Sequence, residues 1–257
     1  MMKRLSLLAA LGVIIAGAFF LNSGHKTDVT LIGARAMPVL GQDNLFVVTL
    51  EIQNHGAAKT LTSVHSSSAT AVSIMNPGYA EAKIVIPAHG TGIFAMDGAH
   101  LMLIGAQSDF IEGSFLPLTL EFADYGDVKT RVLHAGDDMG MAGMDHSTAK
   151  GVQTNPSPSI QLTAKSKLGS EDAEIVVSAE NFTFVRTTDD AAHVPFEGHG
   201  HIYLNGLKLG RLYENHFTLG ALPNGTYDLT VSLNSNNHQP YIENNIAIGQ
   251  TLKFVHR

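Results

Sequence analysis

The sequence predicts an all-β protein made of two β-sandwich domains. Apolar and polar residues alternate, as in NLFVVTLEIQNHG (residues 44–56), where Phe46, Val48, Leu50 and Ile52 share one face. Runs of this kind are short and are bounded by Gly, Pro, Asn and Asp, and no stretch shows the period of an amphipathic helix. Short alternating strands separated by turn residues are typical of antiparallel sandwiches and barrels.

A loss of alternation over residues 135–159 divides the chain into two β-rich parts. The first part spans residues 27–134 and ends with the strand-like stretch FLPLTLEFADYGDV. The connecting stretch, AGDDMGMAGMDHSTAKGVQTNPSPS, has the Gly, Ser, Thr and Pro content of a flexible linker. Strand patterns resume over residues 160–257, where Asn205-Gly206 and Asn224-Gly225 predict hairpin turns.

The first 24 residues, MMKRLSLLAALGVIIAGAFFLNSG, predict an export signal. Lys3 and Arg4 precede an apolar core, and Ala16-Gly17-Ala18 has the small residues of a cleavage site. The alternative is an N-terminal membrane anchor, because the apolar run continues to Leu21 and reaches the short limit of a membrane span. Both readings place the rest of the chain in the periplasm, free or tethered to the inner membrane.

The composition limits the chemistry that the protein can perform. A formal charge of −7 over 257 residues argues against nucleic acid and anionic membrane surfaces as partners. There is no cysteine, so a soft metal ligand must be a methionine sulfur. No H-E-x-x-H, G-x-S-x-G or P-loop pattern occurs, and we expect no enzyme activity. A metal-dependent hydrolase stays an alternative, because Glu197 beside His199 has the chemistry of a general base.

A histidine and a methionine in DGAHLMLIGA form the first candidate site. In a strand, His100 and Met102 point to one face, and Leu101 and Leu103 point to the other. Imidazole suits copper, and a thioether favours the softer Cu(I) over zinc, calcium or magnesium. The alternative is a half-buried strand in which the histidine is incidental.

The stretch VIPAHGTGIFAMDGAHLMLIGAQSDFIEGSFLPLTLEFADYGDV resembles the periplasmic PCu(A)C copper chaperone family. That family has IPAGG…L.PGG.HLML.G followed by G..V.LTL.F...G.V, and DNLFVVTLEIQNHGAAKTLTSVHSSSATAV resembles its earlier strands. The resemblance covers residues 27–134. It implies a cupredoxin-like, Ig-like sandwich that holds Cu(I) with two His and two Met. It also implies copper delivery to cytochrome oxidase or related targets.

The ligand pattern of that family is present only in part. His100 and Met102 match its H-x-M pair. This sequence has Met75 at the place of the family's upstream His, and the following loop, NPGYAEAKIVIP, contains no methionine. Met96 is a candidate substitute, with a role in the core as its alternative, and His65 is a weaker candidate.

The linker supplies a second group of candidate copper ligands. These are His134, Met139, Met141, Met144 and His146. Thioethers select Cu(I), and a flexible segment can wrap several of them round one ion. Tails rich in His and Met are common in the PCu(A)C family. The resemblance therefore supports a role in copper binding for this linker. The alternative is a disordered linker without a metal role.

Histidines of the second domain form a third candidate site. They are His193, His199, His201, His216 and His238. His199 and His201 share one strand face, and we expect His216 on the adjacent strand. Three or four imidazoles suit Cu(II) or zinc, and a histidine-rich surface without an ion is the alternative. The stretch GHGHIYLNG is similar to that of an uncharacterised secreted β domain.

Together, these observations predict an exported copper chaperone that passes copper to a cuproenzyme such as cytochrome c oxidase. Three alternatives stay open: sequestration of copper or zinc for resistance, a metal-dependent enzyme, and a structural pair of sandwiches with incidental histidines. Sequestration uses the same ligands as the chaperone, so sequence alone does not separate these two functions.

Overall fold

The computed structural model describes residues 28–42, 44–123, 125–136, 151–188 and 191–257. These residues form β-strands joined by turns and loops, so the all-β class expected from the sequence is confirmed. In this part of the chain, no helix has the length and hydropathy that a membrane span requires. The export signal or anchor predicted for residues 1–24 lies outside the described residues.

The strands of the first domain run from residue 29 to residue 134. They are β1 (Val29–Pro38), β2 (Leu45–Asn54), β3 (Lys59–His65), β4 (Ala69–Met75), β5 (Ile84–Ile86), β6 (Thr91–Phe94), β7 (His100–Ala106), β8 (Phe115–Phe122) and β9 (Gly126–His134). Strand β2 pairs with β1, β6 and β7, and β4 covers the outer edge of β7. From β1 the sheet continues through β9, β8 and β3 to β5.

Alternation builds the core of the first domain as the sequence predicts. Along β8, Leu118 and Leu120 have no exposed surface and Phe122 is 2% exposed, whereas Phe115 and Glu121 face solvent. The inward-facing side chains of β2 and β7 pack with those of β8 in one hydrophobic cluster. Burial of these alternating side chains supplies the main driving force for folding.

The strands of the second domain begin at residue 159. They are β10 (Ser159–Ala164), β11 (Ala173–Glu180), β12 (Thr183–Phe184), β13 (Glu197–Leu204), β14 (Leu207–Leu212), β15 (His216–Leu219), β16 (Gly225–Ser235), β17 (Ile242–Glu243), β18 (Ile246–Ala247) and β19 (Gly249–His256). Strands β14, β13, β16 and β19 are neighbours in the large sheet, whereas β10, β11 and β15 form a separate one. Between these two layers lies a second hydrophobic cluster.

The two Asn-Gly pairs behave differently. Asn205 and Gly206 have φ values of 47° and 82° and join β13 to β14, as a tight hairpin turn requires. The hairpin predicted at Asn224-Gly225 is wrong, because β15 and β16 belong to different sheets. The loop between them is drawn into the core instead, since Leu222 is 5% exposed and its amide donates to the Gly169 carbonyl at 2.7 Å.

The two domains meet in a packed junction. Lys208 of β14 pairs with Ile93 of β6, so one hydrogen-bonded sheet runs through both domains. Val85 of β5 belongs to the hydrophobic cluster of the second domain, and Leu207 of β14 belongs to that of the first. Val152, which lies in the predicted linker, forms a parallel bridge with Tyr241. Residues from both domains therefore share one continuous interior at this point.

Two glycines of β13 test how closely the second domain is packed. A Cβ at Gly198 would collide with the main-chain oxygen of Asn234, whereas one at Gly200 would meet the side chains of Leu212 and Val231 at 3.1 Å. Backbone yields less than side chains do, so Gly198→Ala should destabilise the fold by roughly 3 kcal/mol and Gly200→Ala by roughly 1 kcal/mol. Urea unfolding of both variants measures the loss of unfolding free energy. Equal losses in the two variants would contradict the packing described here.

Candidate metal centre

The first candidate site lies on the outer face of β7. His100, Met102 and Ile104 occupy this face, whereas Leu101 and Leu103 point into the core and have no exposed surface. His100 is 8% exposed, and Met102 is partly buried. The two-residue period predicts this division of the strand.

Met75 of β4 extends this donor group across the sheet. It is the cross-strand partner of His100, and Ser73 is the partner of Met102. Cross-strand neighbours have Cβ atoms about 4.5–5.5 Å apart, so one imidazole and two thioethers share a single patch. His100 Nδ1 lies 3.0 Å from the Gly98 carbonyl, which can only accept a hydrogen bond. Nδ1 therefore carries the proton, and Nε2 keeps its lone pair for an ion.

The other candidate ligands of the first domain lie apart from this patch. Met96 is in the turn between β6 and β7 and lines a cavity of about 550 Å³ between the domains. His134 packs against the rings of Phe46 and Phe110, with centroid distances of 5.1 and 5.0 Å. Its Nδ1 accepts a hydrogen bond from the Gly136 amide at 3.1 Å. Its cross-strand neighbours lie on the core side of the sheet, so it faces away from the patch.

Four candidates lie outside the described residues: Met139, Met141, Met144 and His146. His65, the weaker candidate, is exposed at the end of β3.

Three histidines of the second domain come together. His199 and His201 lie on β13, and His238 lies in the loop after β16. One ring nitrogen from each lies within 4.8 Å of the others. Nε2 of His199 is 3.0 Å from Nε2 of His201, and the two residues are 2% and 3% exposed. We call these three residues the histidine cluster.

A short loop sets the position of His238. This residue has a φ of 65°, a left-handed conformation that costs roughly 1–2 kcal/mol for residues other than glycine. Its amide donates to the Ser235 carbonyl at 2.9 Å, and the Ser235 amide donates to the Gln239 carbonyl at 2.8 Å. These bonds hold the strained residue where its ring meets that of His199, at a centroid distance of 4.8 Å.

Asp97, a residue of the first domain, supports the histidine cluster. Its Oδ2 lies 2.8 Å from Nδ1 of His201 and accepts hydrogen bonds from Lys208 Nζ at 2.6 Å and from Tyr203 Oη at 3.0 Å. Because a carboxylate accepts, Nδ1 of His201 carries the proton and its Nε2 faces His199 with a lone pair. A carboxylate behind an imidazole is the arrangement that orients histidine ligands in metalloproteins.

The environment keeps two members of the histidine cluster, His199 and His201, neutral. Burial lowers the pKa of His199 to about 3, and the nearby His201 adds to this shift. Burial also lowers the pKa of His201, although its hydrogen bond to Asp97 opposes the shift. Burial raises the pKa of Asp97, but the hydrogen bond from His201 and the charge of Lys208 outweigh it and leave the pKa well below its usual range. At neutral pH the rings of His199 and His201 are therefore uncharged, as metal binding requires.

His193 and His216 lie apart from the histidine cluster. His216 was expected next to the strand of His199, but β14 takes that place and β15 pairs with β11. His216 is exposed, and its Nδ1 lies 3.2 Å from the side-chain oxygen of Asn215. His193 precedes β13, and its ring centroid lies 6.1 Å from that of Tyr241.

Residues 27–134 match the family model LpqE-like, which describes a family of proposed lipoproteins. Over these residues the first domain is similar to that family, and we call it the LpqE-like domain. The matched residues are those that carry the resemblance seen in the sequence, so the family model confirms it for this domain. No curated protein matches the chain.

Three solved structures are similar to the LpqE-like domain. The copper-bound PCuAC domain from PmoF2 is 17% identical, with 42% of this chain and 93% of that chain covered and a TM-score of 0.38. The apo PCuAC domain from PmoF1 is 21% identical, with 42% and 92% covered and a TM-score of 0.38. The solution structure of Cu(I)-DR1885 from Deinococcus radiodurans is 18% identical, with 46% and 84% covered and a TM-score of 0.37.

The contact of Asp97 with Lys208 predicts a measurable coupling between the domains. Lys208 is 7% exposed, so Asp97→Ala leaves a buried ammonium without its carboxylate. Loss of a buried partner is strongly destabilising, but Asp97 keeps 39% side-chain exposure, so we expect a loss of about 1–3 kcal/mol. In the double variant with Lys208→Met, part of this loss should be recovered. Additive losses in a double-mutant cycle would show that the pair is not coupled.

Proposed function

We propose that the protein is an exported copper-binding protein of the chaperone type, with Cu(I) held by His100, Met102 and Met75. The observation that carries the proposal is the cross-strand pairing of Met75 with His100, next to Met102 on the same face. This patch offers one imidazole and two thioethers, a soft donor set that favours Cu(I) over zinc, calcium or magnesium.

Accessibility of the patch suits the release of copper. Met75 is 47% exposed, so another protein's ligand can approach an ion from the side of this sulfur. Thioethers are neutral, and ligands can be exchanged one at a time without proton transfer. A fourth ligand comes from Met139, Met141 or Met144 of the linker in this proposal. The same chemistry serves sequestration, so delivery and storage differ only in the presence of an acceptor.

Two features of the sequence support export. The first 24 residues have the basic, apolar and small-residue regions of an export signal. The LpqE-like family that matches the first domain is a family of proposed lipoproteins. A periplasmic location, free or attached to the inner membrane, also fits a protein that has no cysteine to oxidise.

Substitutions in the patch should weaken Cu(I) binding without unfolding the domain. We expect His100→Ala to raise the dissociation constant by more than about tenfold, because it removes the only nitrogen donor of the patch. Met75→Leu and Met102→Leu conserve volume and should each give a several-fold increase. The measurement is anaerobic competition with a chromophoric Cu(I) chelator.

Two further variants test whether the loss of Cu(I) affinity comes from removing soft donors. Ser73→Ala alters the same face without removing a soft donor, and it should bind Cu(I) like the unaltered protein. Replacing Met139, Met141 and Met144 together by Leu keeps the linker length and should weaken Cu(I) binding. Unchanged affinity in both His100→Ala and Met102→Leu would overturn the assignment of this patch.

Delivery is distinguished from sequestration by transfer to an acceptor. We expect the Cu(I)-loaded protein to metallate the apo form of the soluble copper domain of a cytochrome c oxidase. Transfer through a complex should be faster than release of Cu(I) to a chelator of equal affinity. A transfer rate that never exceeds the spontaneous release rate would favour sequestration.

A further inference from the structure

The histidine cluster has the features of a second metal site with different chemistry. Its three ring nitrogens lie within 4.8 Å of one another, and the closest pair is 3.0 Å apart. Three nitrogens bound at about 2.0 Å to one ion in square-planar geometry, which Cu(II) prefers, lie roughly 2.8–4.0 Å apart. The observed 3.0 Å between the Nε2 atoms of His199 and His201 lies within that range. All three members of this group are imidazoles.

Surroundings of the cluster show a built site. His199 and His201 are almost fully buried, and their strand alternates with glycines that allow close packing on the opposite face. His238 is kept in a left-handed conformation by a five-residue loop. Strain of this kind persists only where the surrounding structure enforces it, and it concentrates at functional sites.

We propose that His199, His201 and His238 bind Cu(II), and that Asp97 of the LpqE-like domain acts as a positioning residue for this site. Imidazole donors favour Cu(II) over the other divalent ions of the first transition row, zinc included. His238 also lines the cavity of about 550 Å³ between the domains, together with Met96 and Tyr203. This leaves an open side of the bound ion facing that cavity.

Asp97 makes metal binding a property of both domains. Its contact with Nδ1 of His201 fixes the proton there and directs Nε2 to the ion. The turn that carries Asp97 is also bound to the second domain by the Ala99 amide, which donates to the Gly206 carbonyl at 2.9 Å. A displacement of this turn would remove the contact of Asp97 that orients the ring of His201. An ion in the cluster should in turn stabilise the docked arrangement, because linkage is reciprocal.

Aerobic titration of the full chain with Cu(II), followed by electron paramagnetic resonance, tests this proposal. We expect one Cu(II) per chain with hyperfine coupling to imidazole nitrogens. His238→Asn should weaken binding by more than about tenfold, because asparagine keeps the left-handed backbone but removes the imidazole. His216→Ala, an exposed histidine on another sheet, should change nothing. Retained affinity in His238→Asn would overturn the site, and tighter binding of Zn(II) than of Cu(II) would overturn the choice of metal.

Two variants separate positioning from stability. Asp97→Asn removes the charge behind His201 and should weaken Cu(II) binding by about tenfold and shift the copper hyperfine parameters. Lys208→Met breaks the ion pair with Asp97 and removes the ammonium that lies 3.2 Å from Nδ1 of His201, but it leaves the contact of Asp97 with His201. It should therefore lower the melting temperature without weakening Cu(II) binding. Equal weakening by both variants, or an unchanged spectrum in Asp97→Asn, would exclude a positioning role.

The outcome is independent of the Cu(I) site of the first domain. His100→Ala should lose Cu(I) affinity and keep the Cu(II) signal, whereas His199→Ala should do the reverse. Loss of Cu(II) binding in His100→Ala would contradict a separate second site.

Discussion

Lys208 is 7% exposed at the junction of the two domains, where its ammonium group needs a negative partner. Asp97 supplies that partner at 2.6 Å, and the same oxygen also accepts hydrogen bonds from His201 and Tyr203. One carboxylate therefore neutralises a buried cation, sets the tautomer of a candidate ligand and fixes the turn between β6 and β7 on the second domain. His100 begins β7 three residues later, so both candidate sites depend on this turn.

Local patterns predicted the features that depend on nearest neighbours in the chain. Alternation placed His100 and Met102 on one face of β7, and Asn205-Gly206 formed the expected turn. Contacts between residues that are distant in the sequence could not be predicted from local patterns. Asp97 lies more than 100 positions before Tyr203 and Lys208, and nothing in its own neighbourhood marks it as their partner. The expected neighbour of His199 was wrong for a related reason, because strand order is a property of the whole sheet.

The two candidate sites differ in the rate at which each would exchange an ion. The patch on β7 has an exposed sulfur at Met75, and an incoming ligand can bind before the others leave. Two members of the histidine cluster are 2% and 3% exposed, so an incoming ligand reaches an ion there only from the cavity that His238 lines. An exposed soft site suits transfer, and a buried nitrogen site suits retention. With the two proposed sites, one chain would combine transfer and retention on either side of a single turn.

Charge around the histidine cluster restricts which ions can enter. Lys208 and Arg211 both act on His199 as positive neighbours, and Asp97 is the carboxylate that opposes them at His201. These charges together give a cation little electrostatic attraction to the histidine cluster. It must therefore be held by the strength of its bonds to neutral imidazoles. Calcium and magnesium prefer oxygen donors and would not overcome this repulsion. Cu(II) forms the strongest bonds to nitrogen among the divalent ions of its row, so weak electrostatic attraction improves the selectivity for it.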